Sequence, residues 1–99
     1  MPKRKITWTK GALRQFKEAI DYIRRDSELQ AEKVQQQLLE KIGQLSDDKV
    51  VHRQDPYKTN NDGRYLYFEL LKYRVVYYAG PKEVFIIRVR HTSREPRKY

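Results

Sequence analysis

The chain has no cysteine, and only two histidines, His52 and His91, among its 99 residues. Without thiols there is no disulfide framework and no thiolate metal site, and a reducing compartment is the natural expectation. Two histidines far apart in the sequence argue against zinc; neither a metal nor a cofactor is expected. No apolar run approaches the length of a membrane span. The start, Met1-Pro2-Lys3-Arg4-Lys5, is basic, but no signal-peptide core follows it. A cytoplasmic protein with no membrane partner is therefore predicted. A glycine-rich phosphate loop is missing too, and Ser27, Ser46 and Ser93 lack the surroundings of a nucleophile elbow. Acid is the remaining shortage: 13 Asp and Glu stand against 22 Lys and Arg, a formal charge of +9.

That excess is uneven. The first fifty residues hold eleven Lys/Arg and eight Asp/Glu, and the rest hold eleven and five. A small basic protein seeks polyanions, either nucleic acid or an acidic protein. Ninety-nine residues are enough for one domain with a small core, and a single domain over 1–99 is expected.

Hydrophobic spacing organises the chain. Ile6-Thr7-Trp8 is short and β-prone. Thr9 suits an N-cap for a helix over 10–25, because Leu13, Phe16, Ile20 and Ile23 repeat at helical spacing. Asp26-Ser27 breaks that pattern, and Ser27 with Gln30 has the form of a capping box. A second stripe, Ala31, Val34, Leu38, Ile42 and Leu45, predicts a helix over 28–45. A connection of two or three residues makes the two helices an antiparallel hairpin. The stretch 46–63 reads as loop from Asp47-Asp48, Asp55-Pro56 and Asn60-Asn61-Asp62-Gly63, with Val50-Val51 as a brief extended piece.

Three strands follow, over 64–70, 73–79 and 84–90, joined by Leu71-Lys72 and Gly80-Pro81-Lys82-Glu83; loops this short make an antiparallel meander. The fold class is α+β, an N-terminal strand and helical hairpin packed on an antiparallel sheet. Alternation predicts that the helices cover Leu66, Phe68, Leu70, Val75, Phe85, Ile87 and Val89. The opposite face then presents tyrosines, Glu69, Arg74, Arg88 and Arg90, an interleaving of cations and aromatics suited to phosphates and bases.

The segments Ala19-Ile20-Asp21-Tyr22-Ile23 with Asp26-Ser27, Tyr73-Arg74-Val75-Val76-Tyr77 and Ile87-Arg88-Val89-Arg90-His91 carry a resemblance. In this order, and across nearly the whole chain, the sequence resembles the RelE/ParE superfamily of toxins from bacterial type II toxin–antitoxin modules. The superfamily holds two activities: metal-free cleavage of mRNA in the ribosomal A site, and poisoning of DNA gyrase. The long helical hairpin looks more like the ParE branch, while the charge and the tail look more like the nuclease branch. The expected function is a ribosome-dependent mRNA endoribonuclease that inhibits translation, with gyrase inhibition as the alternative. A module that binds antitoxin or nucleic acid without toxicity is the third reading. The implied partners are an acidic antitoxin and the ribosome with its mRNA, or gyrase.

The resemblance also implies site residues. Nuclease relatives place an arginine in the strand that here holds Arg74, a basic or imidazole residue at His91, then an arginine and a near-terminal tyrosine, for which Arg94 and Tyr99 stand. Arg74 would stabilise charge on the crowded phosphate, and His91 would move a proton to or from a reacting oxygen. Tyr99 would stack on a base or sit by the phosphate. Arg88, Arg90, Arg97, Lys98 and Lys58 are expected to contact nucleic acid. Glu69 is either a base or an arginine's cross-strand partner, Asp55 and Lys58 lie where some relatives keep auxiliary groups, and His52 is expected to be structural or solvent-exposed.

Overall fold

A computed structural model describes residues 3–94 and 97–99. Met1, Pro2, Glu95 and Pro96 lie outside the described residues, so the basic start is described from Lys3 onward. The elements are β1 (Lys5–Trp8), α1 (Lys10–Asp26), α2 (Glu28–Gly43), β2 (Arg53–Gln54), β3 (Tyr65–Leu70), β4 (Tyr73–Ala79) and β5 (Glu83–His91). A 3₁₀ turn, Gln44–Ser46, continues α2.

Both expected caps form. Thr9 accepts the Ala12 N–H at 3.1 Å, and Ser27 accepts the Gln30 N–H at 3.1 Å, each quieting an otherwise orphaned amide. The helical hairpin is tighter than expected. Ser27 alone separates the helices, closing α1 through its own N–H to the Ile23 carbonyl while capping α2 with its hydroxyl.

The sheet runs β1-β5-β4-β3-β2. It is mixed rather than purely antiparallel: β1 pairs parallel with β5, which lies between β1 and β4. Leu71 and Lys72, both at positive φ (52° and 69°), make the two-residue turn between β3 and β4. Positive φ at both central residues matches the right-handed twist of a hairpin. Gly80 is required at the next turn, where a Cβ would meet the Glu83 carbonyl oxygen at 2.7 Å.

The helices bury Ala12, Phe16 and Ile20 of α1 and Ala31, Leu38 and Ile42 of α2, with Leu45, against Leu66, Phe68, Tyr73, Val75, Tyr77, Val84, Ile86 and Val89. Leu13, expected in the stripe, is 40% exposed, and Ala12 takes its place. In β5 the expected faces are partly reversed: Val84 and Ile86 are fully buried, while Phe85 and Ile87 are not. The cause is a β-bulge. Val76 pairs with Arg88 but Tyr77 pairs with Ile86, so Ile87 is an extra residue and alternation flips across it. The Gln15 side chain of α1 accepts the Val89 N–H just beyond, at 2.8 Å. Among the described residues, no helix is long and apolar enough to cross a membrane.

Candidate functional site

The sheet face away from the helices holds a cleft of about 100 Å³, walled by Asp55, Glu69, Arg74, Arg88, Arg90, Arg94 and Arg97 among others. Register builds it. Arg74 and Arg90 are cross-strand partners, as are Val76 and Arg88. Without the bulge Arg88 and Arg90 would fall on the core face of Val84 and Ile86; with it, they share the open face.

Asp55 organises one side of this face. Its carboxylate is 2% exposed and accepts from Arg74 Nη2 at 2.7 Å, the Tyr99 hydroxyl at 2.7 Å and the Tyr57 N–H at 3.1 Å. Burial alone would raise its pKa, but the hydrogen bonds from Tyr99, Arg74 and Tyr57, with the Arg74 charge, outweigh it and hold the carboxyl below its ordinary value. The Tyr99 phenol is pushed up by burial and by its bond to Asp55, so it stays protonated and donates. Asp55 followed by Pro56 reads in sequence as a turn; only the resemblance marked it, as an auxiliary group, and its part as the acceptor that joins Arg74 to Tyr99 was not expected.

Arg74 is paired with two carboxylates and packed between rings. Besides Asp55, its Nη1 donates to Glu69 at 3.3 Å, and its guanidinium lies 3.6 Å from the Tyr67 ring centroid and 5.1 Å from that of Tyr57. Glu69 thus takes the cross-strand pairing role, opposite its register partner Arg74. The side chain of Arg74 is only 14% exposed.

The last residues fold back over this face. Tyr99 donates its N–H to the Tyr57 carbonyl at 3.0 Å, and its own carbonyl accepts from Thr59. Arg88 stacks at 4.7 Å on the Tyr99 ring and donates to the Arg97 carbonyl at 3.2 Å. Lys58 lies over the Tyr65 and Tyr99 rings at 4.7 and 5.4 Å. Arg94 and Arg97 line the cleft; Lys98 is exposed and does not.

His91 reaches the cleft's edge but is oriented elsewhere. It pairs in register with the buried Tyr73, and the two rings meet edge-on at 5.2 Å, on the helical side of the sheet. Its Nδ1 lies 2.7 Å from the Ser93 hydroxyl and accepts the Ser93 N–H at 3.1 Å. Arg74, Arg88, Arg90, Arg94, Arg97 and Tyr99 are therefore brought together, with His91 at the cleft's rim and its ring against Tyr73 and Ser93; Lys98 does not line the cleft. His52, by contrast, is structural: its Nδ1 is 2.6 Å from the hydroxyl of Tyr77, a fully buried ring whose pKa burial pushes up to about 12.

Comparison with known proteins decides the family. The model for the ParE toxin of the type II toxin–antitoxin system parDE matches residues 6–96. The chain belongs to the ParE toxin family. It is a toxin of the type II toxin–antitoxin class within the RelE/ParE superfamily. A solved structure described as the chromosomal ParDE TA system from P. aeruginosa is similar, with a TM-score of 0.71 and 18% identity. The match covers 92% of this chain and 98% of that one. At that identity the likeness supports the ParE-like fold, two helices on a five-stranded mixed sheet. No curated protein sequence matches significantly.

Proposed function

We propose that this ParE-family toxin inhibits DNA gyrase by binding it, without catalysing a reaction of its own, and acts in the cytoplasm under control of an acidic antitoxin. The family match over 6–96 carries this reading. The site favours it over mRNA cleavage. An arginine that stabilises a reacting phosphate works best with its charge uncompensated, whereas Arg74 is paired with both Asp55 and Glu69 and is only 14% exposed. A general acid or base must reach the proton it moves, whereas the His91 ring faces Tyr73 and Ser93. The charge of +9 suits an acidic antitoxin, for which association is fast and salt-sensitive.

The test is gyrase supercoiling of relaxed plasmid with purified toxin, beside toe-printing of translating ribosomes. Inhibited supercoiling with accumulated DNA breaks, and no codon-specific mRNA cleavage, is the expected result. Ribosome-dependent cleavage with gyrase unaffected would overturn the proposal and restore the nuclease reading.

A further inference from the structure

The arginines of the open face are not equally accounted for. Arg74 has two carboxylates and two aromatic rings. Arg88, Arg90, Arg94 and Arg97 line the same cleft, and among the described residues none of them forms an ion pair. Arg90 stands directly across the sheet from Arg74, an arrangement of like charges that destabilises an antiparallel pair. The crowding registers on Arg90 itself, whose pKa is lowered by partial burial and by the charges of Arg88, Arg94 and Arg97.

Crowding of this kind is relieved by an anion. Guanidinium forks match the planar oxygen pairs of phosphate and hold them through two parallel hydrogen bonds. The cleft's volume of about 100 Å³ suits a tetrahedral oxyanion. The cations are also several and spread along the cleft. Arg88 and Arg90 are two residues apart on one face of β5, about 6.6 Å at strand rise, Arg97 lies beside Arg88, which donates to its carbonyl, and Arg94 lines the same cleft. Half-buried tyrosines flank them, with Tyr57 beside the cleft and Tyr99 under Arg88. A cationic groove beside aromatic rings suits a nucleic-acid backbone.

We propose that the cleft walled by Arg88, Arg90, Arg94 and Arg97 binds the backbone phosphates of a nucleic-acid strand. The inference concerns the cleft alone and goes beyond the gyrase reading. It requires no chemistry: the arginines hold phosphate oxygens, and Asp55 with Tyr99 keeps the Arg74 side of the cleft in place.

Fluorescence anisotropy tests it with labelled single-stranded DNA, single-stranded RNA of the same sequence, duplex DNA and polyglutamate, over a range of salt. For three or four phosphates the slope of log K against log salt on a single strand is expected at about −2 to −3. R88Q/R90Q should weaken binding at least tenfold and reduce that slope by roughly 1.4. The comparison variant R14Q/K17Q removes the same charge from the exposed face of α1 and should leave both unchanged. R94Q, outside every strand, repeats the test where folding is not at stake and should lower the slope by roughly half as much. Preference for the DNA or the RNA probe identifies the source of the phosphates, and either supports the site. Equal losses in R88Q/R90Q and R14Q/K17Q would reduce the effect to net charge and overturn the proposal. So would polyglutamate binding as tightly as the nucleic acids, which would mark the cleft as a seat for an acidic protein, and so would a parent that binds none of the probes.

Discussion

Replacing Asp55 by asparagine should be the most damaging isosteric change in the molecule. The carboxylate is 2% exposed and takes three donors, one of them the guanidinium of Arg74, itself only 14% exposed. Asn keeps the shape but removes the charge, leaving a largely buried cation with a neutral neighbour. Removing one partner of a buried ion pair costs about 3–5 kcal/mol. Glu69 still accepts from Arg74 at 3.3 Å, which places D55N near the lower end, about 3 kcal/mol. For a domain of this size, each kcal/mol moves Tm by about 4–8 °C, so a fall of roughly 12–24 °C is expected at pH 7 in thermal unfolding followed by circular dichroism. The pH profile adds a second check. Asp55's folded pKa lies below its ordinary value, so its contribution is present above the unfolded pKa of about 3.9 and is lost as pH falls through the folded value. D55N should lack that acid-side loss. A drop below about 1 kcal/mol, with an unchanged acid limb, would refute the reasoning and make the network a solvent-screened surface pair.

Two further outcomes are expected. Burial and the charge of Lys41 lower the pKa of His52, so its stabilising contribution is present above the ordinary value of 6.5 and declines as pH falls from there; H52Q should flatten Tm against pH between roughly 6.5 and 5, and a parent profile already flat in that window would count against the burial of His52 near Lys41. L38A empties a fully buried position on α2 and should cost about 2–5 kcal/mol in urea unfolding with the m-value unchanged, whereas a loss below about 1 kcal/mol would place Leu38 outside the packed core.

Much of the architecture was readable because its causes are local. Helical spacing marked both helices, and Thr9 and Ser27 marked where they start. Alternation placed Leu66 and Phe68 on the core side of β3, where no irregularity intervenes. The same rule failed in β5 because Ile87 is a bulge, and a bulge depends on how β4 pairs, which no run of β5 residues reveals. It was also pairing that set β1 parallel to β5 at the far end of the chain. The site was legible as a list and not as an arrangement. Arginines and tyrosines on alternate strand positions pointed to one face, and most of them meet there. Which of them are already occupied rests on Asp55, a residue 19 positions from Arg74 and 44 from Tyr99. His91 shows the limit from the other side: one further step along the strand carries it from the arginines' face to that of Tyr73.

The placement of β5 bears on how the toxin comes into being. Among the described residues β1 has one neighbour in the sheet, and its partners, Glu83 to Ile86, lie 78 positions downstream. At about 5–20 residues per second, translation leaves β1 waiting roughly 4–16 s for its only neighbour to be made. β4 likewise lacks one of its two flanking strands until then. Until β5 inserts between them, the apolar face of the helical hairpin lacks Val84, Ile86 and Val89, and the arginines of β5 have no cleft to line. The nascent chain therefore lacks part of its core through most of its synthesis, and it acquires its fold and its charged face in the same late step.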